Sequence, residues 1–493
     1  MFFTAKQIQR RLLDILTPTL GVLAVLAPMQ AQAVPSFARQ TGQNCVSCHA
    51  GGQFPELTPY GRMFKMTGYT IGSRAMPLAV MGVVNYAKVA DTTKSDDPAA
   101  DFQKDGSAVL SSGSLFIAGK ITDNIGLFSQ ISYDNFAVAN DDGSFSGHTS
   151  ADNIDLRYAD RFVDANRDLI VGVSLNNNPS VVDPWNTAAA WMQYVPAASL
   201  GSHQFADANT PFPGYGSGGN IAGVSAYMFW NKTVYAELGT YRTANQGLAF
   251  MSAGVPDGEL TKLSGNNNPY WRLAVTREWG PHNLMVGTSG MIAHVYDTGS
   301  DTDPDNLGLY RNTGIDAQYQ YLLDPHTFTA QVAYMRQVQT YSATAVADAS
   351  AAATYVLADG VTPVDAANPT DTTNIFRAKV SYVYQAKYGG SLAFFNKTGT
   401  SNTLNQTSGF DPVGCEGTVV CSASSTRVGG NLSGNPATSG ITYEAFWIPR
   451  QNIRIGAQYT AYSKFNGASD NYDGFGRNAK DNNTLFAYVW FVY

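Results

Sequence analysis

Residues 153–162 of this 493-residue chain read Asn-Ile-Asp-Leu-Arg-Tyr-Ala-Asp-Arg-Phe. Polar and apolar side chains alternate along this run with a period of two, as they do in a β-strand that has two unlike faces. One face carries charge and the other carries aliphatic and aromatic groups. The first face holds Asn153, Asp155, Arg157 and Arg161, and the second holds Ile154, Leu156, Tyr158 and Phe162.

The same pattern recurs in residues 376–387 and 453–465. Charge on one face and aromatic groups on the other are typical of a transmembrane β-barrel. A soluble β-sandwich also alternates and is the competing interpretation, although its strands are usually shorter. In the second run Arg377, Lys379, Ser381, Gln385 and Lys387 oppose Phe376, Ala378, Val380, Tyr382 and Tyr384; in the third Arg454, Gln458 and Lys464 oppose Ile453, Ile455, Ala457, Tyr459 and Phe465.

The connections between such runs favour the barrel. About sixteen strands are predicted, and the links between them alternate between tight turns, such as Asn231-Lys232 or Asp324-Pro325, and long loops. Outer-membrane barrels show this alternation, with the long loops facing outward, and an even strand count places both barrel ends on the short-turn side. The predicted strands are 78–89, 108–121, 125–137, 151–162, 167–176, 219–230, 233–243, 269–279, 282–296, 309–322, 326–340, 373–387, 390–400, 439–448, 451–465 and 483–493.

Composition and the last strand agree with a barrel. Charged residues make up only 14% of the chain, which contains 47 Gly, 27 Tyr and 25 Phe. The net charge of −7 argues against nucleic acid as a partner. Leu485, Ala487, Val489, Phe491 and Tyr493 alternate up to a terminal aromatic residue, which resembles the signal used by barrel-assembly machinery, although a buried edge strand would alternate similarly.

Residues 1–33 have the features of a secretory signal peptide. Lys6, Arg10 and Arg11 precede an apolar run, and small residues at 31–33 suit cleavage before Val34. A membrane anchor is the alternative, but Pro residues interrupt the apolar run. The exported chain would reach an oxidising compartment, so a disulfide between Cys415 and Cys421 is expected, with metal binding as the alternative.

Residues 45–49 read Cys-Val-Ser-Cys-His, the C-x-x-C-H signature of covalent haem c attachment. Cys45 and Cys48 would form thioethers to the porphyrin, and His49 would bind the iron. A chance match and a redox-active C-x-x-C pair are the alternatives. The sequence thus predicts three regions, namely the signal peptide, a monohaem cytochrome c segment at 34–76, and an all-β barrel of about sixteen strands at 77–493. Because some 40 residues hold little core of their own, the haem segment is expected inside the barrel or at its periplasmic mouth.

Other haem contacts are less determined. A sixth iron ligand is expected for an electron carrier, and Met66 is the first candidate, ahead of Met63 and Met76. A lumen histidine, His282 or His294, and an open site are alternatives, and packing is the ordinary role of each methionine. Arg62, with Arg39 and Lys65, would either pair with the haem propionates or contact lumen acids.

The long loops 177–218 and 341–372 are rich in Ala, Asn and Asp. The first contains Pro184-Trp185, and it either folds inward as a constriction or covers the barrel's outer mouth. The sequence does not choose between these arrangements.

Residues 34–42, the C-x-x-C-H, residues 54–62 and Phe64-Lys65 resemble, nearly position for position, the cytochrome segment of one family, the fused monohaem cytochrome–porins. These are outer-membrane iron oxidases of Fe(II)-oxidising bacteria. The close match covers about a tenth of the chain, and the barrel is similar in architecture only. The resemblance implies an oxidoreductase in which one covalent haem c accepts electrons from extracellular Fe(II) and passes them to a periplasmic cytochrome or other carrier. A conduit for a different donor or acceptor, and a porin-like channel with a haem-bearing plug, are the alternatives.

Overall fold

The computed structural model contains one closed ring of sixteen antiparallel strands, in which each strand pairs with its neighbours in sequence and β1 pairs with β16. The structure describes residues 35–52, 56–95, 102, 104–139, 145–186, 221–254, 262–265, 267–296, 302–352, 368–402 and 428–493. The strands are β1 Leu78–Val89, β2 Ala108–Lys120, β3 Ile125–Ala139, β4 Phe145–Val163, β5 Asp168–Asn176, β6 Ile221–Trp230, β7 Val234–Thr243, β8 Pro269–Trp279, β9 His282–Tyr296, β10 Leu307–Leu323, β11 His326–Thr340, β12 Thr370–Tyr384, β13 Tyr388–Gly399, β14 Thr438–Arg450, β15 Ile453–Lys464 and β16 Thr484–Val492.

The helices are short. They are α1 Pro35–Thr41, α2 Cys45–Cys48, α3 Pro59–Met66, α4 Pro179–Val182 and α5 Ala343–Ala352, with single 3-10 turns at Ala50–Gly52, Ala249–Met251, Pro304–Asn306 and Ala479–Asn482. None of the helices in the described residues is long and apolar enough to span a bilayer.

The predicted alternation is confirmed, and the structure assigns each face. On β4, Asp155 and Arg157 are fully buried on the lumen side, whereas Tyr158 and Phe162 are each 47% exposed on the outside. The polar face therefore points into the ring and the apolar face points away from it, the reverse of a water-soluble protein. The outward large apolar residues include Val80, Leu115, Val173, Val224, Leu238, Leu273, Val286, Ile315, Val332, Val380, Leu392 and Leu485.

The alternation of tight and long connections is also confirmed, with one exception. The links at one end, here called the short-turn end, contain two to four residues, for example Gly280-Pro281 between β8 and β9. At the opposite, long-loop end, the predicted long link at 138–150 is wrong, because β3 and β4 continue further and leave only 140–144 between them. The predicted disulfide pair Cys415 and Cys421, the signal peptide and most of 177–218 lie outside the described residues.

Two turns lie away from their predicted places. Residues 385–387 form the β12–β13 turn, so Gln385 and Lys387 are turn residues and do not continue the lumen face. Gln385 and Ala386 adopt positive φ values of 53° and 52°, which a tight hairpin requires. The β14–β15 turn is at 451–452 instead of at Pro449-Arg450, after a β-bulge. Phe465 is buried beyond the end of β15 and does not face outward.

Aromatic side chains gather on the outer surface beside the short turns. Trp230 and Trp279 end β6 and β8, and both are exposed. His282 stacks on Trp279 at 5.4 Å between ring centroids and shares a hydrogen bond of 2.7 Å with the Tyr319 hydroxyl. Amphipathic rings in such a row are typical of a barrel wall where hydrocarbon meets lipid headgroups.

Candidate functional site

The described residues between 35 and 76, here called the lumen segment, lie inside the ring at the short-turn end. Cys45 contacts the β14–β15 turn, where its N–H lies 3.4 Å from Oε1 of Gln451. Gln40 accepts a hydrogen bond of 2.8 Å from the N–H of Lys120 at the end of β2. Arg39 donates to the carbonyls of Met76 and Leu78, where the segment joins β1. This part of the segment therefore contacts the arc of wall that runs from the β14–β15 turn through β1 to β2.

The C-x-x-C-H motif occupies one helical turn followed by an extended residue. Cys45 and Cys48 begin and end α2, so they lie three residues apart on one helix face. The N–H of His49 donates to the Cys45 carbonyl at 2.8 Å, which fixes the histidine directly after the thiols. This is the donor set that haem c attachment requires, two reduced thiols and an adjacent imidazole.

Burial shifts the pKa values of two groups in the motif. Burial raises the pKa of Cys48 to about 11, whereas reactive C-x-x-C pairs depend on a thiol whose pKa is lowered. Burial, followed by the charge of Lys65, lowers the pKa of His49 to about 3. The imidazole is therefore neutral near pH 7, the state in which it binds a metal.

Helix α3 packs directly on the motif. Thr58 caps this helix by accepting from the Gly61 N–H at 3.2 Å, and Pro59 occupies its first turn. A Cβ at Gly61 would lie 2.2 Å from the Cys48 carbonyl oxygen, so only glycine lets the two helices approach this closely. The Thr58 N–H also donates to that carbonyl at 2.9 Å, which ties α3 to α2.

Arg62 crosses from α3 to the wall formed by β9 and β10. Its guanidinium donates to Oδ1 of Asn283 at 2.6 Å and to the side-chain oxygens of Gln318 at 3.2 Å and Gln320 at 3.0 Å, besides the Leu57 carbonyl at 2.6 Å. All four acceptors are neutral. Burial lowers the pKa of Arg62 to about 10, partly offset by the charges of Glu278 and Asp183.

Lys65 joins the segment to the loop after β5. Its ammonium donates to the carbonyls of Val181 and Asp183, the latter at 3.1 Å. Burial, then the charge of Arg157, lowers the pKa of Lys65 to about 7. Residues 177–186 therefore fold into the lumen. Of the two arrangements predicted for this loop, inward folding is the one that these residues adopt.

The inward loop is itself held by charge and by an aromatic ring. Asp183 and Asp316 both pair with Arg272, at 3.1 Å and 2.5 Å, and all three side chains are buried. Trp185 is 1% exposed, with the guanidinium carbons of Arg62 and Arg272 at 5.9 Å and 5.8 Å from its ring centroid. Lumen segment, loop and wall thus form one packed unit across this part of the barrel.

A second anchor holds the end of the lumen segment. The Asp155 carboxylate accepts from the Tyr69 hydroxyl at 2.6 Å, from Nε of Arg157 at 2.7 Å and from the Ser174 hydroxyl at 2.7 Å. Arg157 donates in turn to the carbonyl of Val182 at 2.8 Å. One buried ion pair on β4 therefore connects the segment with the inward loop.

A third anchor lies at about the opposite side of the ring. Nζ of Lys379 on β12 is 2.7 Å from Oε1 of Glu56, and the two side chains are 9% and 3% exposed. Nearby, Val383, Phe446 and Ile448 form an apolar cluster on the lumen wall. A Cβ at Gly51, whose φ is +63°, would lie 2.8 Å from Cβ of Val383, so the motif's own loop rests on this patch. The lumen of a large barrel is usually polar, so an apolar wall beside the motif suits a porphyrin.

The methionine candidates lie in different surroundings. Met66 is 2% exposed and packs in a cluster with Trp185, Tyr227 and Met285, and Met63 packs against the same cluster. Met76 is 66% exposed. Met66 therefore packs against the part of the wall that lies across the ring from Gln451. Iron ligation by Met66 stays a prediction.

The two histidines considered as lumen ligands do not face the lumen. His282 and His294 share the outward face of β9 with Leu284 and Val286, which are 39% and 56% exposed. The expectation that either could reach the iron from inside the barrel is therefore wrong. On β9 the lumen face holds the odd-numbered residues, such as Asn283 and Met285, so both histidines point outward.

Sequence reasoning identified the motif but missed the anchors. Asp155, Arg157 and Lys379 were recognised only as members of a polar strand face. The sequence did contain a signal for these anchors. Burying a charged side chain on the lumen face under a segment costs free energy unless the charge has a partner, so such charges indicate partners on the segment. The role of Asp183 had no signal, since pairing between a loop and a strand 89 residues away cannot be derived from spacing.

No protein-family model and no curated protein match the sequence. Among solved structures, OmpF of Salmonella typhi in complex with daunomycin is similar at 10% identity and a TM-score of 0.43, covering 84% of this chain and 97% of that one. The outer membrane channel DcaP of Acinetobacter baumannii has 12% identity and a TM-score of 0.39, covering 84% and 96%. An anion-selective porin from Comamonas acidovorans has 9% identity and a TM-score of 0.40, covering 84% and 98%. The assignment of the barrel rests on the strand pairing of this chain.

Proposed function

We propose that this protein is an outer-membrane electron conduit. It would accept electrons from extracellular Fe(II) or a similar donor through one covalently bound haem c and pass them to a periplasmic carrier. The observation that carries the proposal is the position of the C-x-x-C-H motif, which is tied into the barrel lumen by anchors on several strands.

The proposed location in the outer membrane is supported by the outward surface of the ring. A closed barrel leaves no unpaired strand edge, and its outward face is a continuous belt of apolar side chains bordered by Trp, Tyr and His. In water this belt would be a large exposed apolar surface, whereas in a bilayer it is solvated by lipid. Lipid of the outer membrane is therefore the first partner that the fold implies.

The residues of the motif fit haem c. Cys45 and Cys48 would hold the porphyrin through thioethers, and His49, neutral at physiological pH, would bind the iron. A haem bound there supplies a one-electron Fe(III)/Fe(II) couple. Pairing of Arg62 with a propionate stays a prediction; in the structure its guanidinium donates to Asn283, Gln318 and Gln320.

The proposed direction of electron flow, from outside the cell to the periplasm, follows from the difference between the two ends of the barrel. Short turns would face the periplasm, where c-type haem is attached, and long loops would face outward. Ferric iron precipitates near neutral pH, so oxidation at the outer surface keeps the solid outside the cell. The hydrocarbon core is about 30 Å thick, and a redox centre held within the lumen shortens the distance that an electron must cross.

The packed lumen favours a conduit over a solute channel. Around α3, the segment, residues 177–186 and the wall leave Arg62, Trp185 and Arg272 buried, at 3%, 1% and 1% exposure. Excluding water lowers the local dielectric and keeps solutes from crossing beside the redox centre. A porin-like channel with a haem-bearing plug is the alternative, as is a conduit for a different donor or acceptor.

A reduced-minus-oxidised absorption spectrum of the purified protein tests the proposal. The protein should show the bands of haem c after denaturation, and Fe(II) at working pH should reduce it. Cys48→Ala should lose covalent haem, and iron-dependent electron flow should stop. Absence of covalent haem, or haem that stays oxidised with Fe(II), would overturn the iron conduit, and high conductance for small solutes would favour the channel.

A further inference from the structure

A buried arginine lies on the barrel wall just inside the turn that the motif contacts. Cys45 meets Gln451 in the β14–β15 turn, and Arg454 follows as the second residue of β15, on the lumen face. Arg454 is 7% exposed, and its guanidinium carbon lies 4.0 Å from the centroid of the Phe446 ring. The guanidinium therefore covers the apolar cluster that contains Phe446, against which the motif's own loop also rests.

The hydrogen bonds of this guanidinium use only part of it. Nη2 of Arg454 is 2.7 Å from Oε1 of Glu444, and the same oxygen accepts from the Tyr488 hydroxyl at 2.7 Å. Nε of Arg454 is buried and has no hydrogen-bond acceptor within the described residues. Because a buried donor on a charged group is costly without an acceptor, this N–H indicates an anionic or polar ligand in the lumen beside the apolar cluster.

The three cations that the sequence suggested as propionate partners differ in this respect. Arg62 and Lys65 donate to the wall and to the inward loop, and neither has a buried side-chain nitrogen that lacks a partner among the described residues. Arg39 is exposed and donates to two carbonyls where the segment joins β1. Arg454, which lies on the barrel and not on the segment, is thus distinguished by its uncommitted N–H.

An apolar surface with a buried cation at its edge suits a porphyrin that carries carboxylates. The vinyl groups that form thioethers and the two propionates lie at opposite edges of the ring. A cation that meets a propionate must therefore lie away from the two cysteines but on the same part of the wall. Arg454 satisfies both conditions, because it follows by three residues the turn position that Cys45 contacts. A guanidinium can also bond two carboxylates at once through its planar fork.

We propose that Arg454 binds one haem propionate through its Nε while its Nη2 stays on Glu444. Glu444 would then act as a positioning residue that holds the guanidinium over Phe446. The inference rests on the proposed function, because it assumes covalent haem at the motif. It adds a contact through which the barrel wall itself, and not only the lumen segment, holds the haem.

Resonance Raman spectroscopy of the purified protein tests this contact, because the bending band of a haem propionate rises in frequency when the carboxylate accepts hydrogen bonds. The double variant Arg454→Gln with Glu444→Gln removes the guanidinium without leaving a buried carboxylate unpaired. One propionate band should fall in frequency in this variant. Glu444→Gln alone should not lower it, because Arg454 is still present and no longer shares its charge with a second carboxylate.

Lys120→Gln is the matched control, because it removes a cation from the same end of the barrel on β2, three strands from β15. It should leave both propionate bands unchanged. Arg454→Lys keeps the charge but lacks the Nε donor, so its band should lie between those of the wild type and the double variant. If heat-modifiable mobility shows that the double variant does not fold, Arg454→Lys decides the test.

Wild-type propionate bands in the folded double variant, or in Arg454→Lys where that variant decides, would overturn the contact with Arg454 while leaving the conduit intact. Equal shifts in Lys120→Gln and the double variant would overturn it as well. Wild-type protein without covalent haem would overturn the proposed function, and the propionate contact with it. The absorption spectrum of each denatured sample records covalent haem and so distinguishes the two failures.

Discussion

The ion pair between Glu56 and Lys379 should decide whether the lumen segment stays docked. Its atoms are 2.7 Å apart and both side chains are nearly buried, so Glu56→Leu would leave the Lys379 ammonium covered without its carboxylate. Removing one partner of a buried pair costs about 3–5 kcal/mol. We expect about 3 kcal/mol, because Lys379 also interacts electrostatically with Glu444.

Hydrogen–deuterium exchange measures this cost. The Arg62 N–H bonds to Thr58 and the Thr67 N–H bonds to Met63 within an eight-residue helix too short to persist once undocked. A loss of 3 kcal/mol should make these amides exchange about a hundredfold faster. Amides of the wall strands should keep their rates.

The double variant Glu56→Leu with Lys379→Met is the control, because replacing a buried pair by apolar groups of similar size is often neutral. It should restore most of the protection. Wild-type exchange in the single variant would refute the anchoring role, and equal acceleration in the wall strands would mean that the whole barrel had been destabilised.

Three further predictions follow from single positions. Gly61→Ala should reduce covalent haem content without preventing barrel folding, because the added Cβ meets the backbone of α2. Gly113→Ala is the control and should change neither property, because a Cβ there meets nothing within 4 Å. Haem-stained gels measure the haem content, and heat-modifiable mobility measures barrel folding. Val286→Arg, at an outward position that is 56% exposed, should destabilise the barrel in lipid vesicles by about 2–4 kcal/mol in urea titrations, and no change would argue that this face does not meet lipid. Trp185→Ala should raise single-channel conductance in planar bilayers, because the buried indole fills lumen space beside Arg62. An unchanged conductance would mean that Trp185 does not block the passage of ions through the lumen.

Strand positions could be predicted because alternation is a local property. Asp155 and Tyr158 lie three residues apart and so must face opposite sides of any sheet, and the structure confirms this. The strand ranges predicted from sequence place a turn at 388–389, which is wrong because both residues belong to β13. Gly389 instead lies under the Phe446 ring on the neighbouring strand, a reason that only pairing reveals.

The site was predictable where its chemistry is contiguous in sequence. Cys45, Cys48 and His49 are adjacent, and the cap at Thr58 follows from local rules. The contacts of Lys65 with the inward loop and of Arg62 with the wall span 116 residues or more, so these partners depend on how the barrel closes. The outward placement of His282 depends on which alternate residues of β9 face the lumen. An error of one residue in that assignment moves every side chain of the strand to the opposite face.

Electron transfer across a sealed membrane tests the account most directly. The protein is inserted into lipid vesicles that enclose ferricyanide, and Fe(II) is added only outside. We predict that the haem absorption shows reduction and that the enclosed ferricyanide is bleached, while vesicles containing Cys45→Ser with Cys48→Ser keep their colour. Bleaching that is equal in the two preparations, or no bleaching with the native protein, would contradict the claim that electrons cross through a haem held in this barrel.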